Sequence, residues 1–221
     1  SAGDVLLAGP AVRAVAAGAG KVTLLCGGQG REAAGLLPGV DEVLVRHAAW
    51  IDADPEPVTR PGVDALVDEL AAGGIDQAFV LTSFHQSPLP LALLLRMAGV
   101  PTVAAVSVDY PGSLLDVRHR VADDLHEVER MLSLVGTLGY RLPSGDHGRL
   151  RVRRAHAGDR GGPPVDRPLL GQDRYVVVHP GASAPARAWA PRRHAALVAA
   201  LVAAGRRVVV TGDERERALT A

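Results

Sequence analysis

Two short stretches of the chain hold residue types that could do chemistry. The first is Gly3-Asp4, followed by Pro10-Ala11. It places a carboxylate where a strand would hand over to a helix, at the edge of an α/β sheet that binds ligands. Asp4 is there either as a helix N-cap, accepting backbone N–H bonds, or as a general base that takes a proton from a hydroxyl. The second stretch is His179-Pro180-Gly181-Ala182-Ser183, followed by Arg187-Ala188-Trp189-Ala190-Pro191. Small residues between a strand and a helix leave backbone N–H groups free to face an anion. Ser183 adds a hydroxyl donor, and Arg187 adds a fork that matches phosphate oxygens. The plainer alternative is an ordinary turn, with Trp189 in a core and Arg187 solvated.

Weaker candidates follow the other strand-like runs. In Thr82-Ser83-Phe84-His85-Gln86-Ser87, His85 and Gln86 are placed at the binding edge to hydrogen-bond a polar ligand, while Ser83 or Ser87 serves equally as a helix cap. Asp109, Tyr110 and Arg118 lie in a long loop facing the same edge, where loops carry specificity. His119, Asp123 and His126 are close in sequence, but their spacing matches no zinc signature, so no metal site is expected. Arg149, Arg151, Arg153 and Arg154 lack the interleaved aromatics of a nucleic-acid groove and read as a solvated linker.

The elements that must position these residues alternate in type. Residues 22–26, 42–45, 78–82 and 102–106 are continuous apolar runs, as in strands covered on both faces. Residues 5–17, 63–72 and 87–98 have helical composition, and Gly73-Gly74 and Gly99 supply stops. Residues 123–138 form a long amphipathic pattern, with Leu125, Val128, Met131, Leu132 and Val135 on one face. Strict alternation implies parallel pairing in a doubly wound α/β sheet. The character then shifts to Arg, Gly and Pro over 141–172, a linker with one short strand at 150–152. A second alternation opens with strand 175–178, helix 191–204 and strand 207–211. The expected organisation is a Rossmann-like domain over 1–140, a linker over 141–172, and the start of a second domain over 173–221. A strand is expected before Gly3, so the natural protein is expected to be longer.

Composition is that of a globular protein and permits an enzyme. The 221 residues are 48% hydrophobic and 22% charged, enough apolar material for a sizeable core and too much for a disordered chain. Basic and acidic residues are equal at 24 each, which argues against a general nucleic-acid binder. The single cysteine, Cys26, excludes an intrachain disulfide and a cysteine zinc cluster. No run reaches the ~20 apolar residues of a membrane span, and a cytoplasmic location is expected.

Taken together, Gly3-Asp4 with Pro10-Ala11, Leu37-Pro38-Gly39-Val40-Asp41-Glu42-Val43, His126-Glu127-Val128-Glu129-Arg130 and H-P-G-A-S with R-x-W-x-P resemble glycosyltransferase family 9. That family includes the ADP-heptose:lipopolysaccharide heptosyltransferases. The resemblance implies a GT-B fold of two Rossmann-like domains facing across a cleft, the second truncated in this chain. It implies that the first domain binds acceptor, with His85, Gln86, Asp109 and Arg118 as candidate contacts to a sugar acceptor, and the second a nucleotide-sugar donor such as ADP-heptose, with no other cofactor. Asp4 matches the catalytic aspartate. Gly181 lies in the donor loop, and Ser183 and Arg187 match positions that contact donor phosphate, the latter commonly lysine in relatives. The implied reaction is inverting and metal-independent, with a helix N-terminus stabilising the leaving diphosphate. The acceptor is a glycan or a small molecule. A lipid-linked one would draw the protein to a membrane surface. A non-catalytic nucleotide-binding regulatory domain is the alternative, because fold does not fix function. A dinucleotide oxidoreductase is weakened by Cys26-Gly27-Gly28-Gln29-Gly30, a loose imitation of G-x-G-x-x-G.

Overall fold

The computed structural model describes residues 1–52, 55–83, 86–153, 174–182 and 185–220. The chain divides into two compact units, Ser1–His156 and Ala157–Ala221.

The first unit opens with two short helices, α1 (Ala2–Leu7) and α2 (Gly9–Ala16), where the sequence reads as one. They are joined through Ala8, which keeps helical dihedrals. Pro10 at the start of α2 has no N–H to give to the preceding turn, so the ladder is interrupted there. Then come β1 (Thr23–Cys26), α3 (Arg31–Leu36), β2 (Glu42–Val45), α4 (Arg60–Ala72) and β3 (Gln77–Val80). They are followed by α5 (Leu89–Met97), β4 (Thr102–Val106), β5 (Val117–His119) and α6 (Glu127–Gly136). All pairing is parallel. β1 pairs with β2 from Thr23↔Glu42, and β4 is flanked by β3 and β5, with Gln77↔Thr102 and Ala104↔Val117 in register.

Alternation along β4 shows how both sheet faces are covered. Val103 and Ala105 point into a cluster with Leu66 and Leu70 of α4, Ala92, Leu94 and Leu95 of α5, and Val80. Ala104 and Val106 point the opposite way, onto Leu134 of α6. Each Leu so buried contributes on the order of 1.5–3 kcal/mol. Small residues Ala8, Ala11 and Ala14 let the first two helices approach Met131 and Val135 of α6. Val12, Leu37 and Val40 form a further cluster beneath β1 and β2.

Three elements differ from the pattern in the sequence. Helix α6 starts at Glu127 because His126 caps it, its Nδ1 accepting from the Val128 N–H at 3.2 Å. Strand β5 is too short and polar to show periodicity; pairing with β4 makes it a strand. Residues 150–152 form no strand. The stretch 141–153, which reads as linker, is held on the first unit by a buried ion pair. Arg13 Nε and Nη2 donate to the two carboxylate oxygens of Asp146 at 2.7 and 3.0 Å, and both side chains are more than nine-tenths buried. Arg13 Nη2 also donates to the Arg149 carbonyl at 2.9 Å, and Arg153 N–H to that of Leu36 at 2.7 Å.

The second unit contains β6 (Tyr175–Val178), α7 (Pro191–Ala203), β7 (Arg207–Val210) and a short α8 (Arg217–Thr220). β6 and β7 are parallel, with Tyr175↔Arg207 in register. Val178 is buried there, whereas Val177 and Val202 are more than half exposed.

Candidate functional site

Asp4 sits in the first turn of α1, and its cap role is shared. Ser1 is the N-cap, its Oγ accepting from the Asp4 N–H at 3.4 Å. The Asp4 carboxylate answers by accepting from the Ser1 backbone nitrogen at 3.0 Å and the Ser1 hydroxyl at 2.9 Å. This is a capping box in which Ser1, not Asp4, is the N-cap, and Asp4 takes the N3 position that answers it. The carboxyl remains about half exposed. Burial raises its pKa, but the hydrogen bonds it accepts, from the Ser1 backbone nitrogen and hydroxyl among them, outweigh that and hold the group below its usual value. Asp4 is therefore ionised at neutral pH and free to take a proton.

Among the acceptor candidates, two are committed to the backbone. Gln86 Oε1 accepts from the Ser83 N–H at 3.2 Å. Arg118, on β5, donates from Nε to the Ser107 carbonyl at 3.1 Å and from Nη2 to that of Val108. It thereby braces the loop after β4 and is only partly exposed. Asp109 is exposed in that loop, its carbonyl accepting from the Ser107 hydroxyl at 3.0 Å, and Tyr110 beside it is largely exposed. His85 lies outside the described residues. Ser87, one residue before the N-cap Pro88 of α5, accepts from the Leu89 N–H at 3.4 Å. His119 Nε2 contacts the Ser133 hydroxyl at 3.0 Å, and with His126 engaged as a cap these two do not converge.

In the second unit, Gly181 lies in the loop after β6 and Arg187 ends a 3₁₀ turn (Pro185–Arg187) leading toward α7; Ser183 lies outside the described residues. Arg187 is exposed and makes no ion pair among the described residues. Trp189 is not core: it is half exposed, edge-on to His194 at 5.2 Å and beneath the Arg193 guanidinium at 5.9 Å. Those two contacts fix the loop to the first turn of α7.

Sequence reasoning missed one residue of this loop. Glu216, in the loop after β7, lays its carboxylate on Gly181: a Cβ there would stand 1.6 Å from Glu216 Oε1. The Asp213 N–H donates to Glu216 Oε2 at 2.8 Å, and His179 Nε2 lies 3.8 Å from the same oxygen. His179 Nδ1 bonds the Thr211 carbonyl at 3.0 Å, joining the ends of β6 and β7. The signal was available in Gly212-Asp213 and Glu216, just after a strand-like run: parallel neighbouring strands bring their following loops side by side.

Residues 64–221 match the family model for "Glycosyltransferase family 9 (heptosyltransferase)". The chain belongs to glycosyltransferase family 9. No curated protein matches the sequence significantly. Among solved structures, the family-9 chain is similar to ADP-heptose lps heptosyltransferase II of E. coli, at 19% identity and a TM-score of 0.66, over 99% of this chain and 63% of that one. It is similar at the same identity and TM-score to E. coli heptosyltransferase WaaC with ADP, over 99% of this chain and 66% of that one. A family 9 glycosyl transferase from Veillonella parvula DSM 2008 aligns with a TM-score of 0.68 at 14% identity, over 100% and 62% of the two chains. The fold is thus of the GT-B type, and the chain spans about 63–66% of the length of the two E. coli proteins. No helix among the described residues is long and apolar enough to cross a membrane.

Proposed function

We propose that this family-9 chain carries the acceptor-activating part and the first part of the donor site of an inverting, metal-independent glycosyltransferase. The donor is a nucleoside-diphosphate sugar, ADP-heptose or a close analogue, and the acceptor is a hydroxyl of a glycan or small molecule. The observation that carries the reading is the loop Gly181–Arg187 between β6 and α7 within the matched family region. One relative is described as a complex with ADP. As the glycosidic bond breaks, negative charge grows on the departing diphosphate. Backbone N–H groups of this loop, the Ser183 hydroxyl and the Arg187 guanidinium are the donors that would meet it. Glu216 would take no part in phosphate binding, since its charge repels phosphate; its oxygens suit hydroxyl groups of the donor.

Asp4 acts as the general base. Its ionised carboxylate takes the proton of the acceptor hydroxyl as that oxygen attacks the sugar from the face opposite the leaving group, which inverts the anomeric configuration. One carboxylate suffices, where a glycosidase uses two. With Gln86 and Arg118 bound to backbone, the exposed Asp109 loop is the acceptor contact that this reading favours.

The test is sugar transfer by the full-length protein and its Asp4→Asn variant with ADP-heptose. Asn keeps an oxygen for Ser1 but cannot take the proton, so turnover should fall about 10²–10⁴-fold with donor binding intact. Transfer within a few-fold of wild type would remove Asp4 from the chemistry.

A further inference from the structure

We infer that the loop after β4 is a sugar-stacking platform, and that the acceptor ring it takes is uncharged or cationic and never acidic. The inference rests on the reading of this loop as the acceptor contact and names the class of that acceptor. Val108 and Tyr110 are each 83% exposed, more than any other large apolar side chain among the described residues. They stand on either side of Asp109, which is exposed too. A loose loop does not account for that exposure, because the backbone beneath these side chains is tied down. The carbonyls of Ser107, Val108 and Asp109 all have donors: Arg118 Nε at 3.1 Å, Arg118 Nη2, and the Ser107 hydroxyl at 3.0 Å. The Ser107 N–H donates to the His119 carbonyl at 3.2 Å, and the Leu114 N–H to that of Pro111 at 3.0 Å. A backbone held at these points presents two apolar side chains and a carboxylate to water in fixed places. No hydrogen bond or ion pair reaches the Asp109 carboxylate among the described residues.

Size and charge name the occupant. A pyranose ring carries C–H groups on its faces and hydroxyls on its rim. An aromatic side chain takes the first by dispersion, and a carboxylate, which only accepts hydrogen bonds, takes the second. Two side chains are too few for a protein interface, which uses about 20–30 residues a side. A membrane surface presents anionic headgroups, which Asp109 repels, and residues 107–117 include no basic side chain to offset it. The cations nearby are committed elsewhere: Arg118 to the two carbonyls, and Arg96 to the Asp116 carboxylate. Arg120 is exposed, but Asp123 and Asp124 are exposed in the same stretch and outnumber it. Asp4 adds a further negative charge near the carboxyl end of β1. Its neighbour Val5 packs on Gly30, which packs in turn on Cys26, the last residue of that strand. An acceptor phosphate or carboxylate therefore meets like charge here, whereas a hydroxyl or an ammonium group meets a hydrogen-bond acceptor.

The experiment measures binding to the full-length protein by saturation-transfer difference NMR, which needs no turnover. The probes are hexopyranoses of gluco, galacto and manno configuration, each as the neutral methyl glycoside, the 2-amino sugar and the 6-phosphate. Wild type is compared with Tyr110→Ala, Tyr110→Phe and Asp109→Asn, beside thermal melts of all four. At least one configuration should bind as the methyl glycoside and as the 2-amino sugar. Its 6-phosphate should bind about 5-fold more weakly, the effect of a like charge ~4 Å away in water. Asp109→Asn should narrow that gap. Tyr110→Ala should weaken the neutral ring about 2- to 10-fold, the worth of one aromatic contact, and Tyr110→Phe should restore it. The melts should not change, because both side chains are exposed. A 6-phosphate bound as tightly as the neutral ring, a Tyr110→Ala variant that binds like wild type, or no ring bound at all overturns the inference. So does Tyr110-dependent association with phosphatidylglycerol vesicles or with a second copy of the chain, measured by sedimentation. A wild type that binds the rings but not ADP-heptose leaves the platform standing and overturns the transferase reading instead.

Discussion

Gly39→Ala tests the reasoning about how α2 sits on the first sheet. Gly39 has φ +90°, in the left-handed region where a Cβ costs roughly 1–2 kcal/mol. It also lies against the end of α2, where an added Cβ would stand 2.8 Å from the Ala16 Cβ and 3.7 Å from the Val12 carbonyl oxygen. Ala16 has no rotamer to swing away, so the contact is relieved only by moving α2 or the Leu37–Val40 turn. Leu37 and Val40 are buried, which makes that movement costly at about 1–3 kcal/mol. Gly74 provides the control: its φ is +59°, but no atom lies within 4 Å of an added Cβ. Gly74→Ala should then carry strain alone. The entropic gain of Gly→Ala in the unfolded chain applies to both variants and cancels. The Gly39 variant should be the less stable by about 1–3 kcal/mol. With a urea m-value of about 1–3 kcal/mol per M, its unfolding midpoint should lie roughly 1 M below that of Gly74→Ala, followed by far-UV circular dichroism. Equal midpoints, or the reverse order, would refute the packing argument.

Two further outcomes are expected. Arg187→Ala should weaken ADP binding by roughly 1.5–3 kcal/mol, the worth of one charge-assisted contact, while leaving the melt unchanged because the side chain is exposed; calorimetric titration with unaltered affinity would remove Arg187 from the site. Stability should also fall in acid. The Val103 N–H and the Arg96 guanidinium hold Asp116 below its usual range, and the Arg13 guanidinium holds Asp146 well below it. Both depressed groups contribute stability that is complete above the unfolded aspartate value near 3.9 and is lost as the pH falls toward their folded values. Urea midpoints should decline below about pH 4, less steeply in Asp116→Asn, and a midpoint flat down to pH 2.5 would count against these contacts.

Periodicity and stop signals in the sequence determine the alternation of strands and helices, because a strand covered on both faces must be apolar throughout, as 102–106 is. The same is true of the loop 179–191, whose small residues and Pro191 announce a turn into a helix without any tertiary help. Local chemistry also leads to a capped helix start at 1–4, although it puts the cap on Asp4 and the structure puts it on Ser1. What the sequence could not decide are contacts between residues far apart in the chain, since no local pattern encodes a partner. Only the fold makes 117–119 a strand, since a three-residue polar run becomes one by pairing with β4. Only the fold turns 141–153 from apparent linker into part of the first unit, because Asp146 finds Arg13 across 133 positions and both charges leave water together. The candidate site divides in the same way. Residue types at strand ends were legible, but Glu216 on Gly181 and Arg118 spent on its own loop depend on which parallel strands are neighbours. That choice is made by the packing of whole helices on the sheet, a sum over many buried side chains that no single motif contains.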